Sequence, residues 1–414
     1  MPPVHIVGAG ILGVSLAAHL IRRGQDVVLV DPSPPGREAS FGNAGVISRG
    51  SVMPPNAPEI WRSLPAYALN RSSAVRYDIK ALPRLAPWLA RFLAGATPGR
   101  AAATAADLNG LLGDALGAHE ELMALARCGH RLRRTGYLKA FRTDASFRRN
   151  AGERALLERF GIAHTVYGSA GLRELEPHLS AIFRHGVLVT DSASVDDPGA
   201  VTRAYADLVC DAGAGLVTAR VQGLSAGAEG YTLHTDRAGD IAADRVVVAA
   251  GAWSGAVLAH LGVRVPLAAE RGYHRRFGFD GNQRLTRPVH DVEGNYVMTC
   301  MEMGVQVSTG MELAAVDAPS TDRQLKAVEA AARTAFAFDR PVAPPWRGAR
   351  PALPDGRPMI GPVPGRPGLW CAFGHGHIGF TTGPVTGRLL AEAMMTGAAP
   401  PVLAPFAPGR YLRS

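Results

Sequence analysis

Three glycines and one acidic residue stand at a regular spacing near the N-terminus: Gly8, Gly10, Gly13 and Asp31. Gly8 permits a sharp turn, Gly10 lets the backbone come close to a pyrophosphate, and Gly13 lets a following helix pack closely on a sheet. A carboxylate at position 31 can accept hydrogen bonds from an adenosine ribose and would repel a 2′-phosphate. These residue types therefore indicate a dinucleotide-binding site.

The surrounding segments predict the elements that must position these residues. Residues 4–7 and 27–30 are short apolar runs typical of buried strands, and residues 11–23 have the apolar periodicity of a helix that Gly24 ends. The start of such a helix offers unpaired N–H groups to phosphates. The glycine spacing alone is a weak signal, but a complete β-α-β unit surrounds it here. The unit does not distinguish NAD from FAD.

A loop of small and polar residues follows this unit, with the sequence E-A-S-F-G-N-A-G-V-I at positions 38–47. Its two glycines would let the backbone run along an extended cofactor. An ordinary surface turn has a similar composition, so composition leaves both interpretations open.

Three separated blocks of the sequence resemble one family of flavoproteins. The first is an A-S-x-x-N-A-G stretch after the glycine motif, matched by Ala39, Ser40, Asn43, Ala44 and Gly45. The second is R-V-V-V-A-A-G-A-W-S at residues 245–254, which is similar to a strand that passes close to FAD. The third comprises G-A-R-P at 348–351, P-D-G at 354–356, I-G at 360–361 and G-H-G-H-I-G-F-T at 374–381. The chain resembles the bacterial D-amino-acid dehydrogenase branch of the D-amino-acid oxidase superfamily, most weakly over residues 50–185 and 280–345.

The resemblance implies an α/β FAD-binding domain of the Rossmann type, discontinuous in sequence, and an α+β substrate domain built on an antiparallel sheet. We predict the FAD-binding domain at residues 1–49, 190–263 and 346–414, and the substrate domain at residues 50–189 and 264–345. The residue patterns agree with this division. They predict a helix at 198–210, a strand at 215–224, antiparallel strands at 289–316 and an amphipathic helix at 321–336 that Thr321 can cap.

The motif and the resemblance together predict non-covalent FAD as the cofactor. No cysteine falls at the usual attachment motif for a covalent flavin, and Cys371 is better interpreted as a strand residue. The predicted cofactor-binding residues are Gly8, Gly10, Ile11, Leu12, Gly13, Asp31, Ser40, Asn43, Ala44, Gly45, Val46, Ile47, Val221, Ala250, Gly251, Trp253, Gly376, His377, Ile378, Gly379 and Thr381.

Two residues are candidates for the substrate site. A flavin oxidises an α-amino acid by accepting hydride from Cα, so the protein must orient the substrate, and a guanidinium can bind its carboxylate with two hydrogen bonds. Arg350 matches the arginine that has this role in the family, although an arginine before proline can equally be a structural ion-pair partner. Tyr273, in E-R-G-Y-H at 270–274, could bond the carboxylate or cover the pocket, or could be a plain sheet residue.

His375 and His377 lie in a glycine-rich segment near the C-terminus. They lack further ligands nearby, so we predict no metal site. The resemblance suggests a loop beside the isoalloxazine ring, with a helix from about residue 383 directed at its polar edge. A role for His377 as catalytic base is left open, because a substrate amine can bind already deprotonated.

We expect oxidative deamination of D-amino acids to imino acids. The E-R-G-Y-H form is similar to members that act on D-proline and cis-4-hydroxy-D-proline, so cyclic substrates are the first to consider. The alternative is an amine oxidase or dehydrogenase for glycine, sarcosine or another secondary amine. The electron acceptor, which can be a quinone, an electron-transfer protein or oxygen, leaves no motif in the sequence.

The bulk composition fits these expectations. A chain of 414 residues with 47% hydrophobic residues is long enough for two domains. The net charge of +9 comes from scattered basic residues, which argues against nucleic-acid binding. Four distant cysteines suit a reducing compartment, no apolar run reaches about 18 residues, and the first strand pattern leaves no room for a signal peptide. We expect a cytoplasmic protein, and peripheral contact with the inner membrane face is left open.

Overall fold

The structure is a computed structural model that describes residues 2–227 and 230–412. Its α-helices within those ranges, numbered α1 to α12 in chain order, are Ile11–Ile21, Ile60–Ala68, Leu82–Gly95, Pro98–Leu112, Ala115–Leu125, Asp144–Arg149, Ala151–Arg159, Ser169–Leu175, Pro198–Asp211, Ser254–Ala259, Arg323–Ala335 and Gly379–Thr396.

The strands of the same ranges are numbered β1 to β23. They are Val4–Val7, Val27–Asp31, Val46–Ile47, Val75–Tyr77, Leu132–Arg133, Tyr137–Phe141, His164–Gly168, His185–Val189, Ala193–Val195, Gly215–Thr218, Val221–Gly227, Gly230–Thr235, Asp240–Ala243, Arg245–Val248, Ala268–Phe279, Val289–Asp291, Tyr296–Met301, Gly304–Thr309, Met311–Leu313, Phe338–Pro341, Trp346–Ala352, Met359–Pro362 and Leu369–Phe373.

A six-stranded sheet contains the predicted β-α-β unit. Its order is β10-β2-β1-β14-β23-β22, and every pair is parallel except β22 with β23. β1 and β14 lie in the middle and are almost fully apolar, as expected for parallel strands covered on both faces. Helix α1 packs against α12 on one of these faces. A Cβ at Gly13 would lie 1.9 Å from the Gly8 carbonyl oxygen, so α1 can approach the sheet this closely only with glycine there.

An eleven-stranded sheet forms the second layer. Its path is β4-β19-β15-β18-β17-β16-β6-β8-β7, and β20 and β21 also pair with the long strand β15. Because side chains alternate across a strand, the sheet has two faces of different character. One face packs against helix α11 through an apolar cluster that includes Phe277, Met298, Val307 and Val328. The opposite face points towards the cavity described below.

Several local predictions are confirmed and two are wrong. The helix predicted at 198–210 is α9, and Leu325, Val328 and Ala332 are buried on one face of α11 as the periodicity indicates. The single strand predicted at 215–224 is two strands, because the chain leaves the parallel sheet after Thr218 and enters a separate antiparallel sheet. The predicted cap of α11 is also wrong.

Helix α11 begins at Arg323. The residue before it, Asp322, occupies the N-cap position, but its side chain accepts no hydrogen bond from the helix. The Thr321 hydroxyl, predicted as the cap, instead donates a hydrogen bond to Glu312. Helix α12 begins at Gly379, slightly before the predicted position near 383. The predicted domain boundary at 345/346 falls at the beginning of β21, which pairs with β15 in the large sheet.

No single helix among residues 2–227 and 230–412 is long and apolar enough to cross a membrane. Gly376–Thr396 and Pro401–Arg410 reach the required length and composition only as a pair bent by 106°.

Candidate active site

A cavity of about 580 Å³ opens where the carboxyl ends of the parallel strands meet the large sheet. Val7, Asp31, Ala249 and Phe373, at or next to the ends of β1, β2, β14 and β23, line it. Ligands of open α/β sheets bind in this position. The cavity has two ends, which we call the dinucleotide end, around residues 8–13 and Asp31, and the substrate end, around Arg350 and His377.

At the dinucleotide end, the polar groups of the loop are already paired with one another. The Ala9 N–H donates to Asp31 Oδ2 at 2.8 Å, and the Ser33 N–H donates to Asp31 Oδ1 at 2.9 Å. Burial raises the pKa of Asp31, and these two N–H groups oppose that shift. The Ile11 N–H at the start of α1 donates to Ser40 Oγ at 3.0 Å. Gly10 carries no side chain there, so the helix start is open to a pyrophosphate.

The loop at 38–47 lies between the two sheets and is held by the large one. Thr299 Oγ1 donates to the Ala44 carbonyl at 2.9 Å, and Gln306 Nε2 donates to the Asn43 carbonyl at 3.0 Å. Asn43 Oδ1 accepts the Gly45 N–H at 2.8 Å, which closes the turn. The loop predicted to follow the cofactor is therefore a fixed segment of the cavity wall, with its backbone anchored from both sides.

The C-terminal glycine-rich segment forms one 3-10 turn, Gly376–Ile378, before α12. His377 lies on the cavity surface, where desolvation by the surrounding protein and the Arg350 charge lower its pKa to about 4. Burial also lowers the pKa of His375 to about 3, and its Nε2 lies 3.2 Å from Thr386 Oγ1. Both imidazoles are therefore neutral near pH 7. Within the described residues, no group of three or more His, Cys, Asp or Glu could hold a metal ion.

At the substrate end, Arg350 extends from β21 into the cavity. Its Cα partner across the strand pair is Glu270 of β15. Gly272 makes room for the guanidinium, because a Cβ there would lie 2.7 Å from Arg350 Nη2. Among the described residues, its hydrogen bond is a long one from Nη1 to the Gly310 carbonyl, at 3.4 Å. Burial lowers the pKa of Arg350, and Glu270 opposes that shift.

The structure does not bring the Tyr273 hydroxyl to Arg350. The backbone of Tyr273 lies at the cavity wall, but its ring belongs to the apolar cluster on the α11 face of the sheet. The hydroxyl accepts from Arg271 Nη2 at 2.5 Å and donates to Glu312 Oε2 at 2.5 Å. Arg271 and Glu312 also form a buried ion pair at 3.0 Å. This phenol is therefore already paired within the protein.

Several cavity residues carried no signal in the sequence. Tyr137 on β6 lines the cavity and stacks on His290 with ring centres 6.5 Å apart. Trp346 on β21 also lines it and stacks on His274 at 4.9 Å. The register places these four side chains on one sheet face, because His274, Ser308, Val297, His290 and Lys139 are successive cross-strand partners. Only the strand pairing reveals this, since the residues are scattered over more than 200 positions.

Most of the predicted cofactor residues meet at this cavity. Those that line it are Gly8, Gly10, Ile11, Leu12, Asp31, Ser40, Asn43, Ala44, Val46, Val221, Ala250, Gly251, Trp253, Gly376, His377, Gly379 and Thr381. The other four, Gly13, Gly45, Ile47 and Ile378, lie behind the wall. Ile47 and Ile378 are 1% and 3% exposed, and Gly13 and Gly45 shape the backbone around the cavity.

This fold and this cavity are those of a dinucleotide-dependent enzyme, with a second wall formed by the large sheet. The family model described as FAD dependent oxidoreductase matches residues 3–393, so the chain belongs to that family. FAD is accordingly its cofactor, and the open helix start, the anchored loop and the strand-end cavity fit that group. The predicted α/β fold class and the prediction of an oxidoreductase are confirmed.

The chain is similar along its whole length to curated relatives. It is 34% identical to a D-amino-acid oxidase of Bradyrhizobium diazoefficiens, over 99% of both chains. It is 30% identical to a D-amino acid dehydrogenase of Granulibacter bethesdensis, over 96% of both. Its fold resembles a glycine oxidase from Geobacillus kaustophilus, with a TM-score of 0.75, 21% identity and 99% of both chains covered. Its fold also resembles an L-proline dehydrogenase from P. horikoshii, with a TM-score of 0.75, 18% identity, and 100% of this chain and 99% of that chain covered.

Proposed function

We propose that this protein oxidises D-amino acids by removing a hydride from Cα, which yields the imino acid. The observation that carries the proposal is the Arg350 guanidinium, which faces the cavity with one hydrogen bond of 3.4 Å among the described residues. A half-buried guanidinium that faces a cavity with most of its donors unpaired favours an anionic ligand. The relatives with D-amino-acid oxidase and D-amino acid dehydrogenase activity in their names support the D configuration.

The position of Arg350 favours the substrate rather than the cofactor as that ligand. The other arginine lining the cavity in the described part of the chain is Arg220, which lies near Asp31 at the dinucleotide end. Arg350 lies near His377 instead, at the opposite end. An α-amino acid presents a carboxylate beside the reacting carbon, and a bidentate pair with Arg350 would fix its orientation.

We propose that FAD is held non-covalently by the predicted residues of the two glycine-rich segments and of the loop at 38–47. No cysteine lines the cavity within the described residues, which supports a non-covalent cofactor. Bound FAD supplies the hydride acceptor. Arg350 binds the substrate carboxylate, and Tyr137 and Trp346 exclude water from the reacting carbon. His377 is neutral near pH 7, so it adds no positive charge that would repel an ammonium substrate.

We propose cyclic D-amino acids, D-proline and cis-4-hydroxy-D-proline, as the first substrates to test, on the strength of the E-R-G-Y-H segment. The experiment is anaerobic reduction of the purified yellow protein by a panel of D- and L-amino acids, glycine and sarcosine. The same panel is then repeated with an artificial acceptor and with oxygen. Faster reduction by D-amino acids is expected. Faster reduction by L-enantiomers, or by amines without a carboxylate, would contradict the proposal, and a preference for glycine or sarcosine would favour the alternative function.

We also propose a cytoplasmic protein that contacts the membrane surface, where a quinone or an electron-transfer protein can accept electrons; direct transfer to oxygen is the other route. Helix α2 has no buried residue, and Trp61, Leu69 and Ile79 are 49%, 65% and 71% exposed. The same segment of the chain, residues 59–91, carries two acidic side chains, Glu59 and Asp78, and six basic ones: Arg62, Arg71, Arg76, Lys80, Arg84 and Arg91. Exposed apolar and basic residues together bind anionic bilayers. Flotation with anionic but not neutral vesicles is expected, and Trp61→Ser should weaken it; no flotation would contradict the proposal.

A further inference from the structure

Glu270 is a buried carboxylate beside the substrate end that neither the motif nor the proposed reaction uses. Its residue is 4% exposed, and it is the Cα partner of Arg350 across the β15–β21 pair. Directly paired residues of neighbouring strands project to the same side of a sheet. Glu270 and Arg350 therefore extend from the same face, whereas Tyr273 and Arg271 extend from the other face, where Arg271 donates to the Tyr273 hydroxyl.

Within the described part of the chain, the surroundings of Glu270 contain one opposite charge. On β21 that charge is Arg350, and the partner of Glu270 on β19 is the apolar Leu313. The turn after β23 contributes His375 and His377, whose pKa values of about 3 and about 4 keep them neutral. The other side chains that line the small cavity beside the carboxylate are apolar and belong to Pro55, Leu108, Ala352, Leu353 and Ile378.

No hydrogen bond from residues 2–227 or 230–412 ends on the Glu270 carboxylate. A cavity of about 20 Å³ lies against it, bounded on the other side by His375 and His377. A water molecule needs about 10–15 Å³ of such space, so one can reach the carboxylate. Glu270 is thus a buried acid with a route for a proton and with Arg350 as its single countercharge.

A bound substrate carboxylate would give this region two anions for one cation. Two carboxylates beside one guanidinium in a poorly solvated site cannot both stay ionised without a large cost. We propose that Glu270 is a positioning residue for Arg350 and takes up a proton when a substrate carboxylate binds, so that carboxylate binding weakens as the pH rises. This inference rests on the proposed role of Arg350 in binding the substrate carboxylate.

The direction follows from linkage. Burial raises the pKa of Glu270 above its ordinary value of 4.5, and Arg350 opposes that shift. A second anion on Arg350 raises this pKa further. Below the pKa of the ligand-free protein, Glu270 is protonated in both states and binding does not depend on pH. Above it, binding must add a proton, and the dissociation constant rises by up to about tenfold per pH unit until the pKa of the complex is reached.

The test uses a carboxylate without an amine, so that the ligand itself does not titrate. Cyclopentanecarboxylate is titrated into the FAD-loaded enzyme from about pH 6 to about pH 9.5, where it is ionised. The flavin absorbance gives the dissociation constant. We expect this constant to rise with pH in the natural enzyme and to be flat, and lower at high pH, in Glu270→Gln. The control is Glu158→Gln, which removes an exposed carboxylate on α7 that does not line the cavity and should keep the natural slope.

A second measurement needs no variant. In weakly buffered solution with an indicator dye, saturating cyclopentanecarboxylate should withdraw up to about one proton per enzyme at the pH where the slope is steepest. Flat binding in the natural enzyme, no proton uptake, or an unchanged slope in Glu270→Gln would overturn the role of Glu270. If D-amino acids still reduce the flavin in that case, the proposed function survives. If neither they nor cyclopentanecarboxylate bind, both fail.

Discussion

The two ends of the cavity are built in different ways. At the dinucleotide end, contiguous residues pair their polar groups with one another, as Asp31 does with the Ala9 and Ser33 N–H groups. At the substrate end, side chains from distant strands meet with their polar groups poorly paired, as Arg350 and Glu270 do. The backbone that would hold a pyrophosphate can be complete before the ligand binds, whereas at the substrate end an anionic ligand adds a charge to a site that already contains Arg350 and Glu270. Substitutions at the two ends should therefore fail in different ways.

The largest effect is expected at the dinucleotide end. Gly10→Val should remove FAD while the protein stays folded, because a Cβ at Gly10 has only Ser40 Oγ nearby, at 3.6 Å, and the side chain would occupy the place of the pyrophosphate. The measurement is the ratio of flavin to protein absorbance, together with circular dichroism. Gly99→Ala, where a Cβ meets nothing within 4 Å, is the control and should stay yellow. A Gly10→Val protein that retains FAD and stays yellow would contradict the proposed pyrophosphate site at the start of α1.

The next effect is expected at the substrate end, with FAD retained. In Arg350→Met, kcat/KM for D-amino acids should fall by about two to four orders of magnitude, because breaking a buried charge pair costs roughly 3–5 kcal/mol. Arg350→Lys should recover only part of this, since an ammonium cannot form two parallel hydrogen bonds. Steady-state kinetics at saturating FAD measures both. Unchanged kinetics in the methionine variant would move the carboxylate site elsewhere; Arg271, the next arginine to test, is already paired with Glu312.

A smaller effect on activity is expected on the face of the large sheet that packs against α11, where Tyr273 should contribute to stability and not to substrate binding. Tyr273→Phe removes a hydroxyl that bridges Arg271 and Glu312, and the free energy of unfolding should fall by about 1–3 kcal/mol. Its kcat/KM should change by less than about threefold, a small difference beside the loss expected at Arg350. Urea denaturation and steady-state kinetics give the two values. A large loss of kcat/KM without loss of stability would assign the phenol to the substrate, as the sequence first suggested.

The smallest effect is expected from His377. Its pKa is lowered to about 4, so it does not change charge near neutral pH. The profile of kcat/KM between about pH 6 and about pH 8 should have the same shape in His377→Asn as in the natural enzyme, with a rate loss below about tenfold. An inflection near pH 6–7 that disappears in this variant would identify His377 as a catalytic base.

The same contrast explains which parts of the site the sequence could reveal. The dinucleotide end is local: the glycine spacing, the strand runs and Asp31 lie within about thirty residues, so periodicity and turn chemistry predict it. Arg350 was found through a family motif rather than through any physical pattern around it. The sequence does not assign Tyr137 and Trp346 to the cavity, or Glu270 to a place beside it, because only the pairing of β15 with β21 and of β6 with β16 brings them together.

The errors have local physical causes. Thr321 has the residue type of a helix cap, but its hydroxyl donates to the buried Glu312 carboxylate instead of accepting from the N–H groups of the helix start. The run at 215–224 has continuous strand propensity, and its break at residues 219–220 depends on which sheet each half joins. A short stretch of sequence shows neither the Glu312 carboxylate near Thr321 nor the second sheet that residues after 220 join.

The order of strands in the large sheet limits how this enzyme could be re-engineered. The wall around the substrate takes Tyr137 from β6, Gly272 from β15 and Arg350 from β21, with cofactor-binding segments interposed along the chain. A chimaera of this chain and a relative, made with one crossover point, would therefore combine part of the substrate wall of one enzyme with part of the substrate wall of the other. Transfer of substrate preference should need at least three exchanged segments, or point substitutions on the cavity face. Directed evolution that starts from those face positions has far fewer combinations to sample than recombination does.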